Sequence, residues 1–144
     1  MIDNEISKNT QEKIYNIIKY SGFSNELSWG EKLSFTELHI IQDADKLDAI
    51  WSIWIARTFA YWWEKNIKLF DNSVEKKINM TKDEYREYQK EPEKHFTVYN
   101  HFYEKLLTLK WYMRIEAGKK IAKKRHNFMV KFLEEFDEDI LLKY

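Results

Sequence analysis

Three aspartates, Asp43, Asp45 and Asp48, interrupt the most apolar stretch of the chain. Burying an ionised carboxylate is unfavourable unless it pairs with a cation or binds a metal ion. In a helix, Asp45, Asp48 and Ser52 follow i, i+3, i+7 spacing and lie on one polar stripe, whereas Asp43 points in another direction. These acids therefore need partners, either a metal ion or basic side chains.

Asp45 and Asp48 are open to two interpretations. In the first, one acid binds a metal ion and its neighbour orients water or another ligand, so that both residues are catalytic. In the second, both acids form salt bridges with basic residues such as Arg57 or Arg125 and have no chemical role. A calcium-binding loop is disfavoured, because Leu47 occupies the third ligand position and no glycine follows at the bend.

The elements that position these residues are predicted to be helices. Of the 144 residues, 44% are hydrophobic, whereas three glycines and one proline provide few of the tight turns that an all-β fold needs. The length suits one domain over residues 1–144. We therefore predict an all-α fold, a single-domain bundle of about five helices. The absence of cysteine excludes thiolate metal sites and leaves His, Asp and Glu as metal ligands.

Hydrophobic periodicity divides the chain into helical segments. One uninterrupted pattern, apolar on nearly every face, predicts a single long helix in the middle of the bundle. Residues 64–100 are the most polar third and are predicted to form a surface insertion, with a helix near Lys82 to Lys90. Gly118 marks a break or a tight contact. The long central helix is predicted to run from Glu37 to Trp63. The other helices are predicted to begin at Thr10, to run from Phe102 to Met113, and to carry the stripe from Ile121 to Ile140.

The charge balance restricts the partners. Lys plus Arg equals Asp plus Glu at 24 each, so no net field attracts nucleic acid or an anionic membrane. The densest apolar run, Leu47 to Trp63, is short and contains Asp48 and Arg57, which argues against a membrane span. The N-terminal residues lack the basic start and apolar block of a secretory signal. We expect a cytoplasmic protein without nucleic-acid or membrane partners.

Five segments follow one another in an order that is typical of a known family. They are Ile17–Ser24, Gln42–Ile50, Ile55–Tyr61, His101–Leu107 and Ala122–Met129. Together they resemble the HD-domain superfamily of metal-dependent phosphohydrolases, and most closely the C-terminal part of its small bacterial hydrolases. The resemblance implies an all-α, truncated HD-like domain that lacks the N-terminal helices of the family.

The resemblance also implies a metal site. Members of the family bind a divalent metal through a histidine, a His-Asp pair and a distant aspartate. Asp45 matches the last of these, and Asp43 is the nearby alternative ligand. Mn, Fe, Ni or Mg would be the cofactor if the site were completed. No His-Asp dipeptide occurs from Met1 to Tyr144, so three of the four ligands are absent from this sequence.

Basic residues of the matching segments are predicted to bind a substrate phosphate, since their counterparts in the family belong to or border its pocket. They are Lys46, Arg57, His101, Lys105 and Arg125. A structural or solvated role is the alternative for each. Trp51 and Trp54 also stand where the family has glycine. We expect these two residues, together with Trp62 and Trp63, in the core or at a subunit interface. A stacking platform for bases is the alternative, but it requires an open basic groove that the net charge does not suggest.

Two functions are compatible with these observations. The first is a degenerate or incomplete HD-domain protein without independent hydrolase activity, acting as a binding or oligomerising module. The second is a phosphohydrolase of a phosphate ester or nucleotide, with its metal site completed by another chain or by an N-terminal segment. The predicted partners are a phosphate-containing small molecule, a second copy of the chain, or a complementing N-terminal chain.

Overall fold

The computed structural model describes residues 6–23, 33–78, 80–81, 83–84, 87, 90 and 96–141. Within these residues the chain is all-α, as predicted, with five α-helices and one 3-10 helix. The α-helices are α1 (Lys8–Tyr20), α2 (Thr36–Asp48), α3 (Ser52–Glu64), α4 (Val98–Glu104) and α5 (Glu116–Leu141), and the 3-10 helix spans Leu106–Tyr112. Most of the predicted helix near Lys82 to Lys90 lies outside the described residues.

The single long helix predicted from Glu37 to Trp63 is wrong, because the chain turns at Ala49 and Ile50 and forms α2 and α3 instead. Trp51 has an extended backbone with φ −100° and ψ 171°, and the Ile50 side chain is buried beside it. The turn exposes the carbonyl of Leu47, which accepts a 2.6 Å hydrogen bond from Nη1 of Arg125 on α5. A distant arginine therefore stabilises a helix end that no glycine or proline marks.

Aromatic side chains from α3, α4 and α5 form the centre of the core. The Phe59 ring lies 5.5 Å from that of Phe102 and 5.9 Å from that of Phe132, measured between ring centroids. Phe102 is fully buried. Because each of these rings comes from a different helix, the cluster fixes α3 and α4 against α5 and positions the residues between them.

The proposed surface insertion over residues 64–100 has buried ends. Ile67, Phe96 and Val98 belong to the core, and the backbone N–H of Val98 donates to the carbonyl of Lys68 over 3.0 Å. Both ends of this segment therefore pack into the core next to α3 and α4, and the surface insertion over residues 64–100 stays a prediction. In the described part of the chain, no helix has both the length and the apolar character that crossing a bilayer requires.

Candidate functional site

Asp43 is a buried acid of α2 that contacts the residues just before α5. Its side chain is 1% exposed, and its carboxylate accepts hydrogen bonds from the backbone N–H of Arg114, at 2.9 and 3.1 Å, and of Ile115, at 2.9 Å. The buried ammonium of Lys46 lies 3.6 Å from Oδ1. Arg114 and Ile115 immediately precede α5, at the end where a helix carries partial positive charge, so the carboxylate satisfies two N–H groups and is favourably placed near the helix N-terminus. Asp43 thus joins α2 to α5.

Gly118 permits this close approach. A Cβ at this position would lie 2.3 Å from Oδ2 of Asp43, well inside van der Waals contact. Glycine is therefore required for space, since its φ is not in the left-handed region. Of the two roles considered for Gly118, a break or a tight contact, the geometry corresponds to the tight contact.

A cavity of about 280 Å³ opens between α3 and α4. It brings together three of the predicted phosphate-binding residues, Arg57, His101 and Lys105. The guanidinium carbon of Arg57 lies 4.1 Å above the ring of Trp54, which holds the cation over the aromatic surface. The cavity is also lined by Ala49, Trp54, Thr58, Tyr61, Trp62 and Leu106. It therefore combines cations with aromatic faces, the two features that recognise an aromatic phosphate ester.

Two of the tryptophans that the sequence placed in the core or at a subunit interface, Trp54 and Trp62, form an aromatic wall of this cavity together with Tyr61. Trp54, Thr58 and Tyr61 follow i, i+4, i+7 spacing from the start of α3 and therefore lie on one face. The sequence contains this spacing, but the predicted helix from Glu37 to Trp63 has apolar residues on nearly every face, so no single face stood out as the wall of a cavity. Trp54 and Trp62 are half-buried, whereas Trp63 is exposed, so the tryptophans do not share one environment.

His101 is buried beneath the cavity against two aromatic rings. Its ring centroid lies 5.3 Å from that of Phe96 and 5.7 Å from that of Trp62. Burial, together with the nearby charge of Lys105, lowers the pKa of His101 to about 3. His101 is therefore neutral at neutral pH and contributes a hydrogen-bonding imidazole to the site without a positive charge.

We predict that this histidine makes stability depend on pH. Because the unfolded chain binds a proton near pH 6.5 and the folded chain only near pH 3, stability is lost as pH falls through that interval. The slope from one such group is at most about 1.4 kcal/mol per pH unit. Urea unfolding at several pH values should show a smaller slope for His101→Phe than for the wild type. Equal slopes would contradict the prediction.

Lys105 is the cavity cation that the charge of Asp45 affects. Burial lowers its pKa, and the charge of Asp45 partly opposes this effect. Asp45 itself is exposed, as is Asp48. Asp45 therefore lies close enough to Lys105 to affect its pKa. Because the Asp45 carboxylate is exposed, its charge does not need a metal ion to offset the cost of burial.

The other two predicted phosphate-binding residues are elsewhere. Lys46 is buried with Asp43 under α5, and Arg125 donates to Leu47 and lies with its guanidinium carbon 5.6 Å from the ring of Trp51. Neither residue lines the cavity of Arg57 and Lys105. Arg125 joins α5 to the end of α2, whereas Lys46 pairs with an acid of its own helix.

The described residues do not fit a metal centre. In that part of the chain, no group of three or more His, Cys, Asp or Glu side chains could hold a metal ion. Both oxygens of Asp43 accept backbone hydrogen bonds, so a metal would have to displace them. Of the two predicted metal ligands, only Asp45 has an exposed carboxylate.

The fold of this chain is similar to that of an HD-superfamily hydrolase, which confirms the resemblance found in the sequence. A crystal structure of an HD-superfamily hydrolase from Bacillus thuringiensis is 31% identical, with a TM-score of 0.64 over 94% of this chain. A crystal structure from Lactobacillus plantarum is 34% identical, with a TM-score of 0.72 over 93% of it. No family model matches the chain.

The chain is also similar to the protein YpgQ of Bacillus subtilis, at 29% identity over 135 residues and 94% of this chain. A crystal structure of YpgQ in complex with ADP is 28% identical and has a TM-score of 0.61. The chain spans little more than half the length of its relatives, namely 55% of YpgQ, 55% of the B. thuringiensis protein and 63% of the L. plantarum protein.

Proposed function

We propose that this chain is a binding module for a phosphate-containing small molecule of the nucleoside diphosphate class, without hydrolase activity of its own. The observation that carries the proposal is the convergence of Arg57, Lys105 and several aromatic rings on one cavity. Phosphate oxygens pair strongly with guanidinium and ammonium groups, and an adjacent ring recognises an aromatic base.

The two cations complement each other. Arg57 is exposed and held over Trp54, so it offers its N–H groups at the mouth of the cavity. Lys105 is partly buried, where an ionic contact is screened less by water. A phosphate that contacts both cations relieves the burial cost of Lys105 and gains a charge-assisted bond to Arg57.

The size of the cavity and one relative support this ligand class. A volume of about 280 Å³ lies just below the roughly 300–1,000 Å³ range of small-molecule sites. It suits the phosphates and an adjoining ring better than a large substrate. ADP is present in a crystal structure of YpgQ, to which this chain is 28% identical.

Titration of the purified chain with ADP tests the proposal. We expect saturable one-to-one binding by calorimetry, quenching of tryptophan fluorescence because Trp54 and Trp62 line the cavity, and competition by inorganic pyrophosphate. Phosphate release should stay at the level of a protein-free control when Mn²⁺ or Mg²⁺ is added. Absence of ADP binding contradicts the binding role, whereas metal-dependent release contradicts the lack of hydrolysis.

The alternative is a phosphohydrolase whose metal ligands come partly from outside this chain. The exposure of Asp45 and its electrostatic influence on Lys105 favour it, because one free carboxylate then borders the phosphate cavity. Metal analysis distinguishes the two functions. Stoichiometric Mn, Fe, Ni or Mg in the wild type, lost in Asp45→Ala but retained in Asp48→Ala, would support the alternative.

A further inference from the structure

The outer face of α5 carries charges that change sign along the helix. Its members recur at spacings of three and four residues and fall within an arc of roughly 100°. All are exposed: Ala117, Lys120, Ile121, Lys124, Phe128, Lys131, Glu135, Glu138 and Asp139. The cations therefore precede the acids along one continuous stripe, which we call the split-charge face.

Apolar side chains lie between the charges. Phe128 is 53% exposed and Ile121 is 43% exposed, although both are on a helix whose other side packs into the core. Together with Trp51 they border an open groove of about 620 Å³, which Lys120 and Lys124 flank. Exposed apolar residues with charged flanks are typical of a helix–helix interface.

The order of the charges along α5 indicates which kind of partner binds the split-charge face. A polyanion such as nucleic acid or an anionic membrane would be attracted by Lys120 and Lys124 but repelled by Glu135 and Glu138 on the same stripe. A helix of the same sequence in the opposite direction matches both ends at once. We propose that two copies of this chain associate through antiparallel contact of their split-charge faces.

The positions of the charges along α5 set the register. With a twofold axis between residues 129 and 130, Lys124 faces Glu135 of the partner subunit and Lys120 faces Asp139 of the partner subunit. Phe128 then lies beside Lys131 of the partner subunit, where the ammonium contacts the ring. Symmetry repeats each contact, so four ion pairs flank a centre made of two contacts between Phe128 and Lys131 of the partner subunit. The face extends over most of the 26-residue helix, about 39 Å.

This interface is independent of the proposed ligand site. The groove of Trp51 and Phe128 shares no lining residue with the cavity of Arg57 and Lys105. Failure of ADP binding would therefore leave the dimer intact, and a monomeric chain could still bind ADP.

Charge reversal on the full chain tests the pairing. Sedimentation at low ionic strength should show a dimer that weakens in about 1 M salt, where charges are screened within about 3 Å. Lys120→Glu with Lys124→Glu should raise the dissociation constant at least about tenfold, and so should Glu135→Lys with Asp139→Lys. An equimolar mixture of the two double variants should form a heterodimer, because each then presents the charges that the other lacks.

The outcomes separate this arrangement from others. The proposal is overturned if the wild type is monomeric at every concentration. It is also overturned if the double variants dimerise as strongly as the wild type, or if the mixture of the two double variants stays monomeric. Binding of the monomeric wild type to phosphatidylglycerol vesicles, lost in the lysine variant, would replace it with an anionic surface as partner. Circular dichroism checks the fold, and Phe128→Ser provides a second variant that should also raise the dissociation constant.

Discussion

Asp43→Ala should destabilise the protein by about 3–5 kcal/mol, the cost that is typical when one member of a buried ion pair is removed. The substitution takes the acceptor from the N–H groups of Arg114 and Ile115 and removes the carboxylate beside the buried Lys46. It also leaves a void beneath Gly118. Urea unfolding followed by circular dichroism measures the change as a lower midpoint.

A matched control lies on the same helix. Asp48→Ala removes an exposed acid from α2 and should change stability by no more than about 0.5 kcal/mol. Asp43→Asn keeps an oxygen acceptor but loses the charge. Its loss of stability should therefore be smaller than that of Asp43→Ala and larger than that of Asp48→Ala. If the free energy of unfolding of Asp43→Ala lay within about 1 kcal/mol of the wild-type value, the carboxylate would not stabilise the start of α5.

Gly118→Ala tests the same contact from the other side. The added methyl group would lie 2.3 Å from Oδ2 of Asp43, and that oxygen is held by the N–H groups of two residues and cannot move freely. We expect a loss of about 1–3 kcal/mol, the range for overpacking a well-filled site. In the Asp43→Ala background the cost should shrink, because the obstructing oxygen is gone. Equal costs in both backgrounds would argue against the contact.

The helical fold could be predicted from the sequence because composition and periodicity are local properties. The turn at Ala49 and Ile50 could not, since its hydrogen bond comes from Arg125, which is distant in sequence. The same limit applies to Asp43: the sequence showed that a buried acid needs a partner, but not that the partner would be the backbone at the start of α5. Long-range hydrogen bonds leave no periodic signal.

The candidate site was predicted in part. Arg57, His101 and Lys105 were predicted through the family resemblance and lie together in one cavity, whereas Lys46 and Arg125 lie elsewhere. All five are basic residues of matching segments, and the sequence cannot show which side chains face the same space. That depends on the rotation of α3 and α4 about their axes, which the core around Phe102 determines.

Lys105→Met should weaken ADP binding about 10- to 100-fold, because a hydrogen bond to a charged group contributes roughly 1.5–3 kcal/mol. Methionine has nearly the shape of lysine and fills the cavity wall without the ammonium group. Lys119→Met provides the control: this exposed lysine on α5 pairs with Glu116 at 2.6 Å and lies outside the cavity, so ADP affinity should not change. Calorimetry at constant ionic strength gives both values. Equal affinities for the Lys105 variant and the wild type would place the phosphate elsewhere.

The pH dependence of ADP binding gives Lys105 a distinct signature. Because burial lowers its pKa, the ammonium loses its proton at a lower pH than an ordinary lysine, and ADP affinity should fall as pH rises through that point. Lys105→Arg stays charged and should retain its affinity at alkaline pH, whereas Lys105→Met should bind weakly at every pH. A lysine that only supported the fold would not produce this difference, so the three pH profiles separate direct contact with phosphate from a structural role.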